Sequence, residues 1–367
     1  MKILVTGSDG FISKNLVVHL KYANKTVLEF NRSHSYEDLE EMISQSDFIF
    51  HLAGVNRPVL SKNFSENISL TESIISICVK LKKIIPILYT SSTQATLDND
   101  YGTSKKKSED ILINYHKKTK NPILIYRLEN IFGKWCMPNY NSVVATFCYN
   151  IANDLDVKVN NPETQLSLVY IDDVIMSFLN NYENCNGLEY IVIKPIYKLK
   201  LSELLKKIMS YKDMSQSMYL ESVGKGLDRA LYSTFLSYLP TSKFSYKLKE
   251  NVDSRGKFVE VLKNQNIGQI SFLTAPPGIT RGCHFHHTKN EKFILVNGKA
   301  KIRYRNLISN ATHEVLVDDS DSTVVETIPG WVHDITNIGN EKLIVLLWTN
   351  EIFDPKNPDT FAEEIEL

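Results

Sequence analysis

The first 135 residues alternate short apolar, often β-branched runs with longer stretches of helical patterning. The runs at 3–5, 27–30, 48–51, 87–89 and 123–126 read as strands, and the first helix is expected over Phe11–Tyr22. Strands alternating with helices predict a parallel sheet covered by helices on both faces. After about residue 240 the pattern changes. Strand-like runs at 258–262, 269–274, 292–296, 301–305, 323–327 and 343–348 follow one another with Gly, Pro, Asn and Asp between them. No long amphipathic helix intervenes, so a β-sandwich or small barrel is expected there. The polar, irregular stretch 240–252 holds the boundary, which gives domains of 1–243 and 244–367.

Composition adds exclusions. A chain of 367 residues suits two domains of roughly 100–200 residues each. Apolar residues at 43% and charged ones at 23% are ordinary for a soluble globular protein. Forty-two basic side chains balance forty-two acidic ones, so no field of one sign would steer in a nucleic acid. No apolar run approaches the roughly 20 residues that span a bilayer, and no membrane partner is expected. Met1-Lys2 leads straight into a strand without a secretory pattern. The five cysteines are scattered and never form CxxC, which predicts reduced thiols and a cytoplasmic location.

Two regions carry chemistry. Thr6-Gly7-Ser8-Asp9-Gly10-Phe11-Ile12-Ser13 follows the first strand and opens the first helix. Glycines there allow a tight turn and close approach to a pyrophosphate, which the amides at Phe11 and Ile12 would receive at the positive helix end. A bare glycine pair fits a plain strand–helix turn about as often; the order strand, turn, helix, strand strengthens the cofactor reading. The second strand ends at Phe30-Asn31-Arg32, without the usual carboxylate for the ribose hydroxyls of NAD. Arg32 suits a 2′-phosphate instead, against the bland alternative of a solvated arginine, and NADPH is the expected cofactor. Tyr101 and Lys105 lie four apart and share a face if helical. An adjacent ammonium is expected to lower the phenol pKa and fit Tyr101 for proton transfer to a carbonyl oxygen. Ser92, at the end of a strand, can hold that oxygen. Tyr190 and Lys194 repeat the spacing but lie in a strand-like run, where four residues span roughly 13 Å.

The second region contains five of the nine histidines. Gly278-x5-His284-x-His286-x4-Glu291-x6-Gly298 is followed by Pro329-Gly330-Trp331-Val332-His333-x3-Asn337. Strand alternation sends His284 and His286 to one face and His287 away from it. His284, His286, Glu291 and His333 together suit Zn, Mn, Fe or Ni; zinc is the expected divalent metal.

The set Thr6–Gly10, His51-Leu52-Ala53-Gly54, Ser92, Tyr101/Lys105, Arg127…Asn130-Ile131-Phe132-Gly133 and Tyr170-Ile171-Asp172-Asp173-Val174 resembles the extended short-chain dehydrogenase/reductases that act on nucleotide sugars. That resemblance covers roughly 1–240. It implies a Rossmann α/β domain with a substrate lobe beyond about 135, and places His51 and Ala53 at the cofactor. The C-terminal histidine pattern resembles both cupin motifs, implying an all-β jelly-roll, although the second motif departs in its Pro–Gly spacing. Asp253-x-Arg255-Gly256-x-Phe258-x-Glu260, Gln269-x-Ser271 and Arg281-Gly282-x-His284 look like the 4-keto-6-deoxysugar 3,5-epimerases, in which His284 would be the base. The two roles of His284 compete, and the filled ligand set favours metal. The runs 133–143 and 287–293 make the whole chain similar to the bifunctional capsule and O-antigen enzymes of the CapF/WbjC type. This resemblance implies a UDP-linked 2-acetamido-2,6-dideoxy-4-keto-hexose substrate, C3 epimerisation in the cupin, and C4 reduction by NADPH at Ser92, Tyr101 and Lys105. A homodimer is also expected. A nucleotide-sugar epimerase or dehydratase that recycles NAD, and a non-catalytic sensor with a structural cupin, are the alternatives.

Overall fold

The computed structural model describes residues 1–56 and 64–365. These residues divide into two compact units. One comprises 1–209 and 224–240; the other comprises 210–223 and 241–367. The division is therefore not a single cut near 243. Leu220 and Lys263 exchange main-chain hydrogen bonds with their neighbours (Leu220 N–H to Lys263 O, Lys263 N–H to Met218 O), which ties 218–220 into the second unit.

In the first unit the strands are β1 (Lys2–Thr6), β2 (Thr26–Phe30), β3 (Phe48–His51), β4 (Ile87–Ser92), β5 (Ile123–Leu128), β6 (Asn130–Phe132), β7 (Gln165–Tyr170), β8 (Leu188–Ile191) and β9 (Tyr197–Lys200). The helices are α1 (Phe11–Tyr22), α2 (Tyr36–Gln45), α3 (Ser65–Lys80), α4 (Asp100–Thr119), α5 (Val143–Ala152), α6 (Ile171–Asn181), α7 (Leu201–Ser217), which belongs to the second unit from residue 210 on, and α8 (Gly226–Leu236). A parallel sheet runs in the order β2-β1-β3-β4-β5-β8. Alternation along its strands serves two cores. Leu4, Ile49, Ile87, Tyr89 and Ile125 face Leu39, Ile43, Ile74, Ile77 and Leu112 of α2, α3 and α4. Phe50 and Tyr126 turn the other way, onto Phe178 of α6. Both faces are buried, so the strands read as unbroken apolar runs. A small sheet β6-β7-β9 is interleaved with the main one in sequence, β8 falling between β7 and β9. Among the described residues no helix is long and apolar enough to cross a membrane.

The second unit is built from β10 (Glu250–Asp253), β11 (Gly256–Asn264), β12 (Gly268–Ala275), β13 (Thr280–Phe285), β14 (Glu291–Asn297), β15 (Lys299–Asn306), β16 (Thr312–Asp318), β17 (Val324–Glu326), β18 (Trp331–Asn337), β19 (Leu343–Thr349) and β20 (Phe361–Ala362). They form two antiparallel sheets, β10-β11-β12-β19-β14-β17 and β16-β15-β18-β13-β20. Leu273, Phe293, Leu295 and Val345 of the first sheet bury against Ile302, Tyr304 and Ile335 of the second. This is the expected all-β sandwich. β10, β16 and β20 are additional to the strands the sequence predicts.

Candidate active site and metal centre

Asn99 accepts the Gly102 N–H at 2.8 Å and starts α4, so Tyr101 and Lys105 fall on consecutive turns of one helix. Gly102 is required there. A Cβ at that position would lie 2.1 Å from the Gln94 carbonyl oxygen, so only glycine lets the helix approach the 93–97 turn. Lys105 is 4% exposed; its ammonium donates to the Thr90 carbonyl at 2.9 Å and lies 5.0 Å from the Tyr89 ring centre. Burial lowers its pKa to about 8, against an opposing pull from Glu109. Ser92, at the end of β4, is 9% exposed and accepts the Gln94 N–H. Its hydroxyl also bonds Tyr101 and holds that phenol down, but burial outweighs this and the Tyr101 pKa is raised. The shift is opposite to the one expected from an adjacent ammonium, because Lys105 is turned to Thr90. A raised phenol pKa keeps the proton on Tyr101 at neutral pH. Tyr190 lies in β8, as expected of the second Tyr/Lys pair, and its hydroxyl bonds Glu109 at 3.2 Å.

The turn between β1 and α1 has Gly7 at φ +68, where a Cβ would meet Ala53 Cα at 2.7 Å. No side chain caps α1 and no acid lies in its first turn, which leaves Phe11 and Ile12 at a positive helix end. Arg32 follows β2 with its side chain 86% exposed, and its nearest acid is Glu66 at 3.8 Å. The Asn31 carboxamide oxygen is taken by Ser33.

The resemblance places His51 at the cofactor; its side chain is 1% exposed with both ring nitrogens engaged. Thr71 donates to the Asn67 carbonyl, so His51 Nε2–H must donate to Thr71 Oγ1 at 3.0 Å. Nδ1 then accepts from Thr6 Oγ1 at 2.9 Å, and Thr6 Oγ1 in turn accepts the Ala53 N–H at 3.3 Å. Burial, helped by Lys105, lowers the His51 pKa to about 3, so the ring stays neutral. It braces the turn from inside.

Two further side chains, Asn67 and Glu109, shape this site without a signal in the sequence. Asn67 of α3 accepts the Val55 N–H and donates to Val55 O and to Ser104 of α4. Glu109, fully buried one turn beyond Lys105, takes a two-pronged pair from Arg127 at 2.9 and 2.7 Å and the Ser91 hydroxyl at 2.5 Å. Their partners lie tens of residues away, so no local pattern could expose them.

In the second unit His284 (β13) pairs across the ladder with His333 (β18), Glu291 opens β14 in the opposite sheet, and His286 lies between β13 and β14. One ligand atom from each falls within 4.8 Å of all the others. His286 Nδ1–H donates to the Asp359 carbonyl at 2.6 Å and His333 Nδ1–H to the Trp331 carbonyl at 3.4 Å. Their Nε2 atoms are left to face the cluster. Both are buried without a hydrogen-bond partner, 3.4 Å from the same Glu291 oxygen. Two buried ring nitrogens without a hydrogen-bond partner beside one buried carboxylate are a ligand set that fits a divalent metal. Burial and then His333 lower the His284 pKa to about 4, so its imidazole is neutral at pH 7. Burial pushes Glu291 up, but His286 and His333 outweigh it and hold the carboxyl ionised, below the usual carboxylate range. His287 is exposed, its ring against Phe285 and Phe361, as alternation predicts.

The family model for the NAD dependent epimerase/dehydratase family matches residues 3–190, and that for the polysaccharide biosynthesis C-terminal domain matches 251–361. The chain is 44% identical to UDP-2-acetamido-2,6-beta-L-arabino-hexul-4-ose reductase of Pseudomonas aeruginosa, over 99% of this chain and 98% of the relative. The capsular polysaccharide assembling protein CapF of Staphylococcus aureus superposes with a TM-score of 0.93 at 39% identity, covering 99% of this chain and all of that one. UDP-glucose 4-epimerase of Thermotoga maritima shares the fold over 65% of this chain and 98% of its own, with a TM-score of 0.53 and 18% identity. The chain belongs to the NAD dependent epimerase/dehydratase family, in the two-domain group typified by CapF.

Proposed function

We propose that the chain is a bifunctional nucleotide-sugar enzyme. Its C-terminal unit inverts C3 of a UDP-linked 2-acetamido-2,6-dideoxy-4-keto-hexose, and its N-terminal unit reduces the C4 ketone with NADPH. The product is of the UDP-N-acetyl-6-deoxy-talosamine type, used for capsule or O-antigen synthesis. The observation that carries this reading is one chain holding both Tyr101 beside Ser92 and Lys105 and a closed four-ligand cluster. Similarity to a UDP-hexulose reductase over nearly its full length supports the substrate class.

For reduction, a nicotinamide supplies the hydride when bound. Tyr101 delivers its proton to the C4 oxygen, so that ketone, hydride and proton become the alcohol. Ser92 orients that oxygen. Lys105 returns positive charge to the site as the phenol loses its proton. Gly7, Gly10, Phe11, Ile12 and Ala53 form the pyrophosphate cradle, and the exposed Arg32 reaches the 2′-phosphate. In the second unit His284, His286, Glu291 and His333 would hold a divalent metal, for which zinc suits the nitrogen-rich set. A metal there supplies fixed positive charge.

Arg32 also speaks against an enzyme that retains and recycles NAD. Incubating purified protein with the 4-keto sugar and following products by NMR tests the reading. The expected result is a C3 epimer without cofactor and a reduced sugar with NADPH, faster than with NADH. Arg32→Asp is expected to abolish that preference. Unchanged sugar in both incubations sinks the proposal.

A further inference from the structure

The loop 286–290 has the sequence His-His-Thr-Lys-Asn and joins two ligands of the cluster, His286 and Glu291. It has no apolar side chain to anchor it. What holds it comes from the far end of the chain. β20 pairs with β13 opposite His284 and Phe285, and two residues before β20 Asp359 adopts φ +39, a left-handed conformation rare outside glycine. That backbone turn aims both kinds of Asp359 oxygen at one loop. Its carbonyl accepts His286 Nδ1–H at 2.6 Å. Its carboxylate accepts the N–H groups of His287 at 3.0 Å, Thr288 at 2.8 Å and Lys289 at 2.7 Å, and the Thr288 hydroxyl at 3.1 Å. The Lys289 ammonium returns to the same segment, bonding Pro358 O at 3.2 Å and Thr360 Oγ1 at 2.5 Å.

We propose that Asp359 is a positioning residue of the metal centre, fixing the tautomer and ring plane of His286 through its carbonyl and the path from His286 to Glu291 through its carboxylate. This rests on the metal reading of the four-ligand cluster. The physical ground is that an imidazole whose Nδ1–H has a fixed acceptor presents Nε2 as a ligand without first losing rotational freedom. Three consecutive loop amides ending on one carboxylate cannot shift without breaking all three bonds. The carboxylate is thus placed to act on affinity for the ion as well as on the fold.

The test uses the full chain, stripped with chelator and reloaded. Zinc affinity is measured by competition with a chromogenic chelator, and the cobalt(II) absorption spectrum is recorded, for wild type, Asp359→Ala and Asp359→Asn. Both variants are expected to bind zinc roughly 10–100-fold more weakly. Their cobalt bands should weaken or shift, a change that loss of a merely structural tie would not produce. Asp359→Asn turns an amide NH2 toward amide N–H groups, so it tests the same point should the alanine variant fail to fold. A folded variant of either kind with wild-type zinc affinity and cobalt spectrum overturns the proposal while the metal reading stands. Wild-type protein that binds neither ion overturns both.

Discussion

Lys105 occupies a position that a lysine rarely takes, almost fully buried, and Glu109 compensates for it from one turn further along α4. The pair sets a pH limit on reduction. Lys105 loses its proton as pH rises through about 8, well below the ordinary lysine value, while Tyr101 is shifted upward and stays protonated. NADPH oxidation should therefore be flat at neutral pH and fall on the alkaline side. Glu109→Gln removes the charge that raises the Lys105 pKa and leaves Arg127 unneutralised, so the alkaline limb should move to lower pH. A pH–rate profile checks this, and an unmoved limb would show that Glu109 acts only on the fold. The Tyr101/Lys105 pair was legible because helical spacing alone puts both residues on one face. The direction of the Tyr101 shift was not, since it depends on where the Lys105 ammonium points. The inward turn of the His51 ring was hidden for a related reason. His51 ends the run 48–51 read as a strand, but the Thr6 and Thr71 hydroxyls that turn it inward lie 45 and 20 residues away.

Elements were legible in proportion to what they bury. The central strands of the parallel sheet, β1, β3, β4 and β5, carry buried apolar runs because both faces are covered, and each coincides with a run in the sequence. β10 is exposed along its whole length and β16 along most of it, so neither has an apolar side to mark it. β20 has two residues, both exposed, and exists only by pairing with β13. The metal cluster draws on both sheets, with His284 and His333 on one and Glu291 on the other. An ion there would cross-link the sandwich. Thermal melts of wild-type protein should fall on chelation and recover with zinc; free metal at a hundred times Kd corresponds to about 2.7 kcal/mol. His333→Ala, which removes a ligand, should melt at the same temperature with or without metal. A full response to zinc in that variant would show that the ion binds elsewhere.

At the scale of the whole molecule, two folds on one chain match two steps that have a forced order. The proton at C3 is acidic because the C4 ketone lies next to it, and reduction destroys that ketone. Epimerisation must come first. The proposed assignment puts acid–base work at C3 in the second unit and leaves Tyr101 with a single task, the proton that accompanies hydride. The two activities should therefore come apart in a single substitution. Tyr101→Phe keeps the ring and its contact with Phe64 while removing the hydroxyl. The most direct measurement is deuterium incorporation at C3 by this variant in D₂O, given the 4-keto sugar without NADPH. Exchange at the wild-type rate is expected, while NADPH oxidation by the same protein falls by roughly 10²–10⁴. Loss of C3 exchange together with reduction would contradict the account, because the base for epimerisation would then depend on the reductase site.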